Sequence, residues 1–128
     1  MADRSNLLLD THILLWWLSG SSRLPAPARK AIEQSDVTYV SAATAWEISV
    51  KSAVRRLEFR GEIDEQITRN HFRPLQITIA HAVAAGRLPP HHGDPFDRML
   101  VAQASIESLT LVTSDAMLRR YDIHVMLV

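Results

Sequence analysis

Apolar positions along the chain fall into two kinds of pattern. Four short runs are densely hydrophobic: Asn6–Leu9 (NLLL), Val37–Val40 (VTYV), Leu109–Thr113 (LTLVT) and Ile123–Leu127 (IHVML). A continuous run such as NLLL suits a strand buried on both faces. VTYV is β-branched and aromatic and follows the turn-like Ser35-Asp36, as a strand should. Helical patterns occupy Pro25–Gln34, Ala42–Leu57, Glu62–His71, Ile79–Gly86 and Phe96–Ser108, and a short helix carries Trp16 and Trp17. In Ala42–Leu57, the residues Trp46, Val50, Ala53, Val54 and Leu57 form one apolar face at the 3.6-residue period. Strands alternating with helices of this length pair in parallel through crossover connections. The expected fold is α/β, a three-layer α/β/α sandwich around a mainly parallel sheet. Edge order is not readable from the pattern. With no internal repeat and no long linker, residues 1–128 are expected to form a single domain.

Composition narrows the class. Apolar residues are 47% and charged residues 22%, near the average of globular proteins, which excludes wholesale disorder. There is no cysteine, which excludes a disulfide scaffold or thiolate metal site and fits a reducing, cytoplasmic setting. The stretch Leu7–Leu18 is interrupted by Asp10 and His12 and falls short of the ~20 apolar residues of a membrane span. Those interruptions also spoil it as a signal-peptide core, and its Asp3-Arg4 flank has no net positive charge. Only four glycines occur, in no phosphate-loop pattern, so nucleotide-cofactor chemistry is not expected. Fourteen basic and fourteen acidic residues give a formal charge of zero, which argues against a simple electrostatic nucleic-acid binder.

Candidate chemistry emerges at the strand ends. Ligands of open parallel sheets bind beyond the carboxyl ends of the strands. The first run ends in Asp10; the second ends at Ser41, an N-cap that places Glu47 one to two turns into the next helix; LTLVT ends in Ser114-Asp115. Asp94-Pro95-Phe96-Asp97 opens another helix.

Each acid also has an ordinary explanation. Asp10 can start a turn, yet it stands between LLL and THILLWWL rather than in polar company. Glu47 can pair with Lys51 at i+4, but its helical neighbours Ala43, Trp46, Ile48 and Val50 are apolar, and a carboxylate there needs a counter-charge. Asp94 before Pro95 reads as N-cap then N1. Asp97 at N3 can merely complement the helix dipole. Asp115 can be a first-turn acid after Ser114 as N-cap. Together they mean more. Gathered carboxylates repel one another, so some stay protonated or the site binds cations. Oxygen donors without cysteine suit Mg²⁺ or Mn²⁺, and two such ions about 3.5–4 Å apart can drive phosphodiester hydrolysis.

At these residues the chain resembles a known family. LLLDTHILLWWL, SAATAWEISVK, LPPHHGDPFDRMLVAQA and LTLVTSD, in this order, look like PIN-domain ribonucleases, and among them most like the VapC toxins of prokaryotic toxin–antitoxin pairs. DPFDRMLVAQA and the DTH segment are the specific parts. The resemblance implies a usually dimeric sandwich with an acidic Mg²⁺/Mn²⁺ site that cleaves RNA, held in check by a cognate VapB-like antitoxin. It places the family's acids, as catalytic and metal-binding residues, on Asp10, Glu47, Asp97 and Asp115. Asp10, Asp97 and Asp115 would hold the main ion. Glu47 would help bind it or a second one, and would position or deprotonate the attacking water. Thr11, Thr113 and Ser114 match small hydroxyl positions beside the site, and Asp94 matches a subgroup feature read here as a cap with a supporting role.

Other residues are read conservatively. His81, His91 and His92 lack the spacing of a helical zinc motif and are expected to have loop or surface roles. His12, just after Asp10, is expected to be packed or to support the site from beside it rather than act as a base. One of Trp16 and Trp17 is a reasonable partner contact, and Arg55, Arg56 and Arg60 read by default as a solvated face, with contact to RNA phosphate or an antitoxin carboxylate as the other options. The main alternative to a metal-dependent endoribonuclease is a catalytically silent PIN-like module that binds RNA or protein; retention of four acids argues against it. Setting those acids aside leaves fourteen basic against ten acidic residues, a net of +4, and twelve of the fourteen are arginine, the side chain best suited to phosphate. Neutral total charge is therefore compatible with RNA.

Overall fold

The computed structural model describes residues 6–128; the Asp3-Arg4 flank lies outside them. In chain order the elements are β1 (Asn6–Leu9), α1 (Thr11–Ser19), α2 (Ala26–Gln34), β2 (Val37–Ser41), α3 (Ala42–Ala53), α4 (Ile63–Arg69), β3 (Arg73–Leu75), α5 (Ile79–Arg87), α6 (Pro95–Glu107), β4 (Thr110–Thr113), a 3₁₀ turn (Ala116–Arg120) and β5 (His124–Leu127). The sheet has five strands in the order β3-β2-β1-β4-β5, and every pairing is parallel.

Continuous hydrophobicity of the first run now has its reason. Side chains alternate across a strand. Leu7 and Leu9 face a cluster with Ile13, Leu14, Ala28 and Ile32 of α1 and α2. Leu8 faces the other side, with Leu100, Val101 and Ala104 of α6. All three leucines are fully buried, as a central strand covered on both faces requires. The three-layer expectation holds.

Two features depart from the sequence pattern. The strand Arg73–Leu75 was not anticipated: it is three residues long and contains Pro74. It pairs with β2 only, at the sheet edge, where a missing N–H is tolerated. The second concerns α3, which stops at Ala53 rather than Leu57, with Arg55 in the left-handed region at φ 59°. Its apolar face does not turn inward. Trp46 and Val54 are 60% and 59% exposed, while Ala43, Thr44, Glu47 and Ile48 are buried. The face turned inward is the mixed one, and it carries Thr44 and Glu47 towards Thr11, just beyond the end of β1.

Topology places the site. From β1 the chain moves outward through β2 and β3, then crosses back to β4 on the other side of β1. The carboxyl ends of β1 and β4 therefore flank a switch point, where open α/β sheets bind ligands. Beside it runs the segment joining α5 to α6, held by Arg98. The guanidinium donates from Nη2 to Ala85 O (2.9 Å) and Leu88 O (3.0 Å), and from Nη1 to Pro89 O (3.2 Å) and His92 O (3.3 Å). Lysine cannot reproduce that planar fork. Arg98→Lys should lower stability by at least about 1.5 kcal/mol, the scale of one hydrogen bond to a charged group. Urea unfolding checks this, and an unchanged midpoint would show that the segment is held by other means.

Candidate active site

Asp10 is built in from three sides. Its N–H continues the sheet ladder to Val112 O (3.0 Å). As N-cap of α1, its Oδ1 accepts from Ile13 N–H (2.9 Å), and its Oδ2 accepts from the Thr113 hydroxyl (2.5 Å). Only 5% of the residue is exposed. Thr113 Oγ1 also accepts from Asp115 N–H (3.1 Å), so one hydroxyl joins the first and last of the four candidate acids.

Glu47 enters from α3, which begins as expected with Ser41 accepting from Ala43 N–H (2.9 Å). Its Oε1 accepts from the Thr11 hydroxyl (2.5 Å) and its Oε2 from Lys51 Nζ (2.5 Å). The i+4 pair with Lys51 thus forms, but around a buried carboxylate. The counter-charge that Glu47 needs is this lysine, whose own pKa is raised, first by that hydrogen bond.

Asp94 is the N-cap of α6: its Oδ1 accepts from Phe96 N–H (2.8 Å) and Asp97 N–H (3.3 Å). Asp97, at N3, is brought into the charge field of Asp94, Asp10 and Glu47. Asp115 is itself the N-cap of the 3₁₀ turn, accepting from Met117 N–H at Oδ1 (2.9 Å). Ser114 does not cap it and is exposed.

The histidines correct two expectations. His81 has neither a loop nor a surface role. It is 1% exposed, forms a capping box with Thr78 at the start of α5, and places Nε2 2.8 Å from Glu107 Oε2. His92 is drawn into the acid cluster, with Nε2 2.8 Å from Asp115 Oδ2 and 3.4 Å from Asp97 Oδ2. Ligand atoms of His92, Asp97 and Asp115 all lie within 4.8 Å of one another. His12 is not packed away but exposed, its ring 6.3 Å from that of Trp16. Lys51 was legible from its spacing to Glu47. His92 had no such signal, because only the closure of the loop against the 3₁₀ turn brings it to Asp115.

Crowding sets the electrostatics. Burial pushes the Asp10 carboxyl above its ordinary value; hydrogen bonds from Thr113 and Ile13 N–H, and the charge of His12, partly oppose this, and Glu47 adds to it. Asp97 is pushed up to about 7, chiefly by burial, then by Asp94 and Asp10, with His92 opposing and Glu47 adding to the rise. Oxygen donors this dense, whose charges push one another's pKa up, fit a hard divalent ion.

The PIN-domain profile matches residues 7–124. The chain belongs to the PIN-domain family. It is 32% identical over 120 residues to ribonuclease VapC22 of Mycobacterium tuberculosis (strain ATCC 25618 / H37Rv), covering 91% of this chain and 92% of the relative. Among solved structures, a toxin–antitoxin complex from Klebsiella pneumoniae superposes with a TM-score of 0.68 at 21% identity, over 94% of this chain and 95% of that one. VapBC2 from Rickettsia felis, bound to a DNA fragment from their promoter, gives 0.67 at 13% identity, over 95% and 98%. At such identities the two structures speak for the PIN fold.

The Asp97 shift has a sign that stability measurements can read. A carboxyl with folded pKa about 7 holds a proton that the unfolded chain, near 3.8, has released. Stability of the metal-free protein therefore falls as pH rises from about 4 through about 7. Asp97→Asn removes that liability. In EDTA its melting temperature should exceed the parent's at pH 8 by several degrees (on the order of 5 °C), and the gap should close towards pH 4. A parent that melts above the variant at pH 8 would show that Asp97 is not electrostatically strained.

Proposed function

We propose that this chain is a Mg²⁺/Mn²⁺-dependent endoribonuclease, the toxin component of a VapBC-type toxin–antitoxin pair, with residues 1–128 as a single PIN domain. The observation that carries the reading is the convergence of Asp10, Glu47, Asp97 and Asp115 beyond the carboxyl ends of the central strands, with Asp97 pushed up to about 7 by burial and by the neighbouring carboxylates. The similarity to ribonuclease VapC22 supports RNA as substrate, and the resemblance to toxin–antitoxin complexes supports an antitoxin partner. Exposed Val50 on α3 and Val54 just beyond it, and Ile79 and Val83 on α5, offer apolar surface for an antitoxin and for a second copy in a homodimer. No helix among the described residues is long and apolar enough to cross a membrane, in keeping with a cytoplasmic toxin.

Asp10, Asp97 and Asp115 would hold the ion, with Glu47 at its margin. Bound there, it supplies Lewis acidity, lowering the pKa of water and offsetting charge on the phosphate. Thr113 fixes the Asp10 carboxylate, and Thr11 fixes Glu47. Glu47, held between Thr11 and Lys51, accepts a proton from the attacking water. Attack in line with the P–O3′ bond breaks that bond, leaving a 5′-phosphate and a 3′-hydroxyl that takes up a proton. Asp94 supports the site as the cap that begins α6. A silent binding module remains the alternative, and the same assay separates them.

With Mn²⁺ or Mg²⁺ the parent should cleave RNA and gain melting temperature. Asp10→Asn and Asp97→Asn should stay folded while losing at least about 100-fold in cleavage, the scale of a lost electrostatic or acid–base group. If these variants cleave as well as the parent, the site is misassigned. A parent that binds RNA but cleaves none with either ion would favour the silent module.

A further inference from the structure

His92 Nε2, with one oxygen each from Asp97 and Asp115, forms a trio of the size a cation needs. At first sight this is a mixed nitrogen–oxygen metal site. Hydrogen bonds around the ring contradict that. Nδ1 lies 3.0 Å from Asp94 N–H, a group that can only donate. A neutral imidazole carries one proton, so an Nδ1 that accepts leaves that proton on Nε2. Nε2–H then donates to Asp115 Oδ2 at 2.8 Å, with Asp97 Oδ2 3.4 Å away. The nitrogen facing the acids has no free lone pair. To ligate, it would have to pass its proton to Nδ1, setting two donors against each other and leaving Asp94 N–H without its acceptor.

The backbone of His92 is held as firmly as its ring. Its N–H donates to Tyr121 Oη (3.0 Å), which in turn donates to Pro89 O (3.1 Å). Its carbonyl accepts from Arg98. Asp115 is correspondingly fixed at both oxygens, Oδ1 by Met117 N–H and Oδ2 by His92. Each carboxylate oxygen has a second lone pair, so Asp115 can accept these bonds and still ligate. The same device recurs at His81, whose Nδ1 accepts from Thr78 N–H (3.0 Å) while Nε2 meets Glu107 (2.8 Å). There no metal-ligating trio forms among the described residues, so the pairing of an accepting Nδ1 with a carboxylate at Nε2 does not require a metal site.

We propose that His92 is a positioning residue and not a metal ligand: its Nε2–H holds the Asp115 carboxylate beside Asp97 in the geometry a divalent ion would use. The inference rests on the metal-dependent reading above. Mn²⁺ serves as the probe, with the full chain and its variants checked for folding by circular dichroism in EDTA. Pulsed electron paramagnetic resonance of Mn²⁺ on the parent should show no directly coordinated imidazole nitrogen, a readout independent of any variant. His92→Asn keeps an acceptor near Nδ1 but cannot reach Asp115, and should weaken Mn²⁺ binding about 10–100-fold. His92→Gln, with an amide N–H near the place of Nε2, should recover most of that loss. A coordinated ¹⁴N signal in the parent overturns the proposal. So does unchanged Mn²⁺ affinity in folded His92→Asn, or a His92→Gln no better than His92→Asn. A parent that binds no Mn²⁺ overturns the metal reading and this inference together, whereas the former results leave the metal reading standing.

Discussion

The hydroxyl of Thr113, donating to Asp10 Oδ2 while accepting from Asp115 N–H, ties the site together. It can do so only because β1 and β4 are parallel neighbours that end at the same level. One strand delivers the carboxylate and the other the hydroxyl that orients it. Thr11, the residue after Asp10, repeats the device towards α3 by donating to Glu47. The acids are thus spaced by threonines rather than by basic side chains. A hydroxyl can donate to a carboxylate without neutralising it, so the negative charge needed to attract a cation survives folding.

That choice has an electrostatic cost. Among the described residues, Lys51 is the one lysine or arginine in an ion pair with a site acid, and it serves Glu47. Asp97, half-buried, is left near buried Asp10 and near Asp94, and Asp10 and Asp97 both titrate above the ordinary carboxylate range. A bound proton would relieve this crowding, and a divalent ion would relieve it better. Neutral overall charge conceals this division, since the chain outside the four acids is basic and rich in arginine. An acidic pocket in a basic remainder suits a nuclease: the arginine-rich remainder would draw phosphate and the acids a cation.

Much of this was legible in the residues. Continuous apolar runs marked four strands, including the central one with leucines buried on both faces. Asp94-Pro95 and Ser41 announced helix starts that the structure reproduces. What pattern reading missed has definite causes. A three-residue edge strand containing proline carries too little periodicity to stand out. The apolar stripe Trp46–Val50–Val54 misled because hydrophobic spacing reports that a face is apolar, not what covers it. His81 and His92 looked alike in the sequence, yet one caps the start of α5 and the other reaches into the acids.

Local chemistry, then, was determined by the chain itself: which residues begin helices, which runs are buried strands, and where acids follow strand ends. Those are short-range consequences of backbone capping and of period-two or period-3.6 burial, and nearby residues suffice to set them. Tertiary structure alone decided the strand order β3-β2-β1-β4-β5, the inward turn of the Glu47 face and the capture of His92 by Asp115. These depend on contacts between residues tens of positions apart, 23 between His92 and Asp115 and 103 between Asp10 and Thr113. No local pattern encodes such distances. They are fixed only when the whole sheet closes and carboxylates that repel one another are packed together by everything around them.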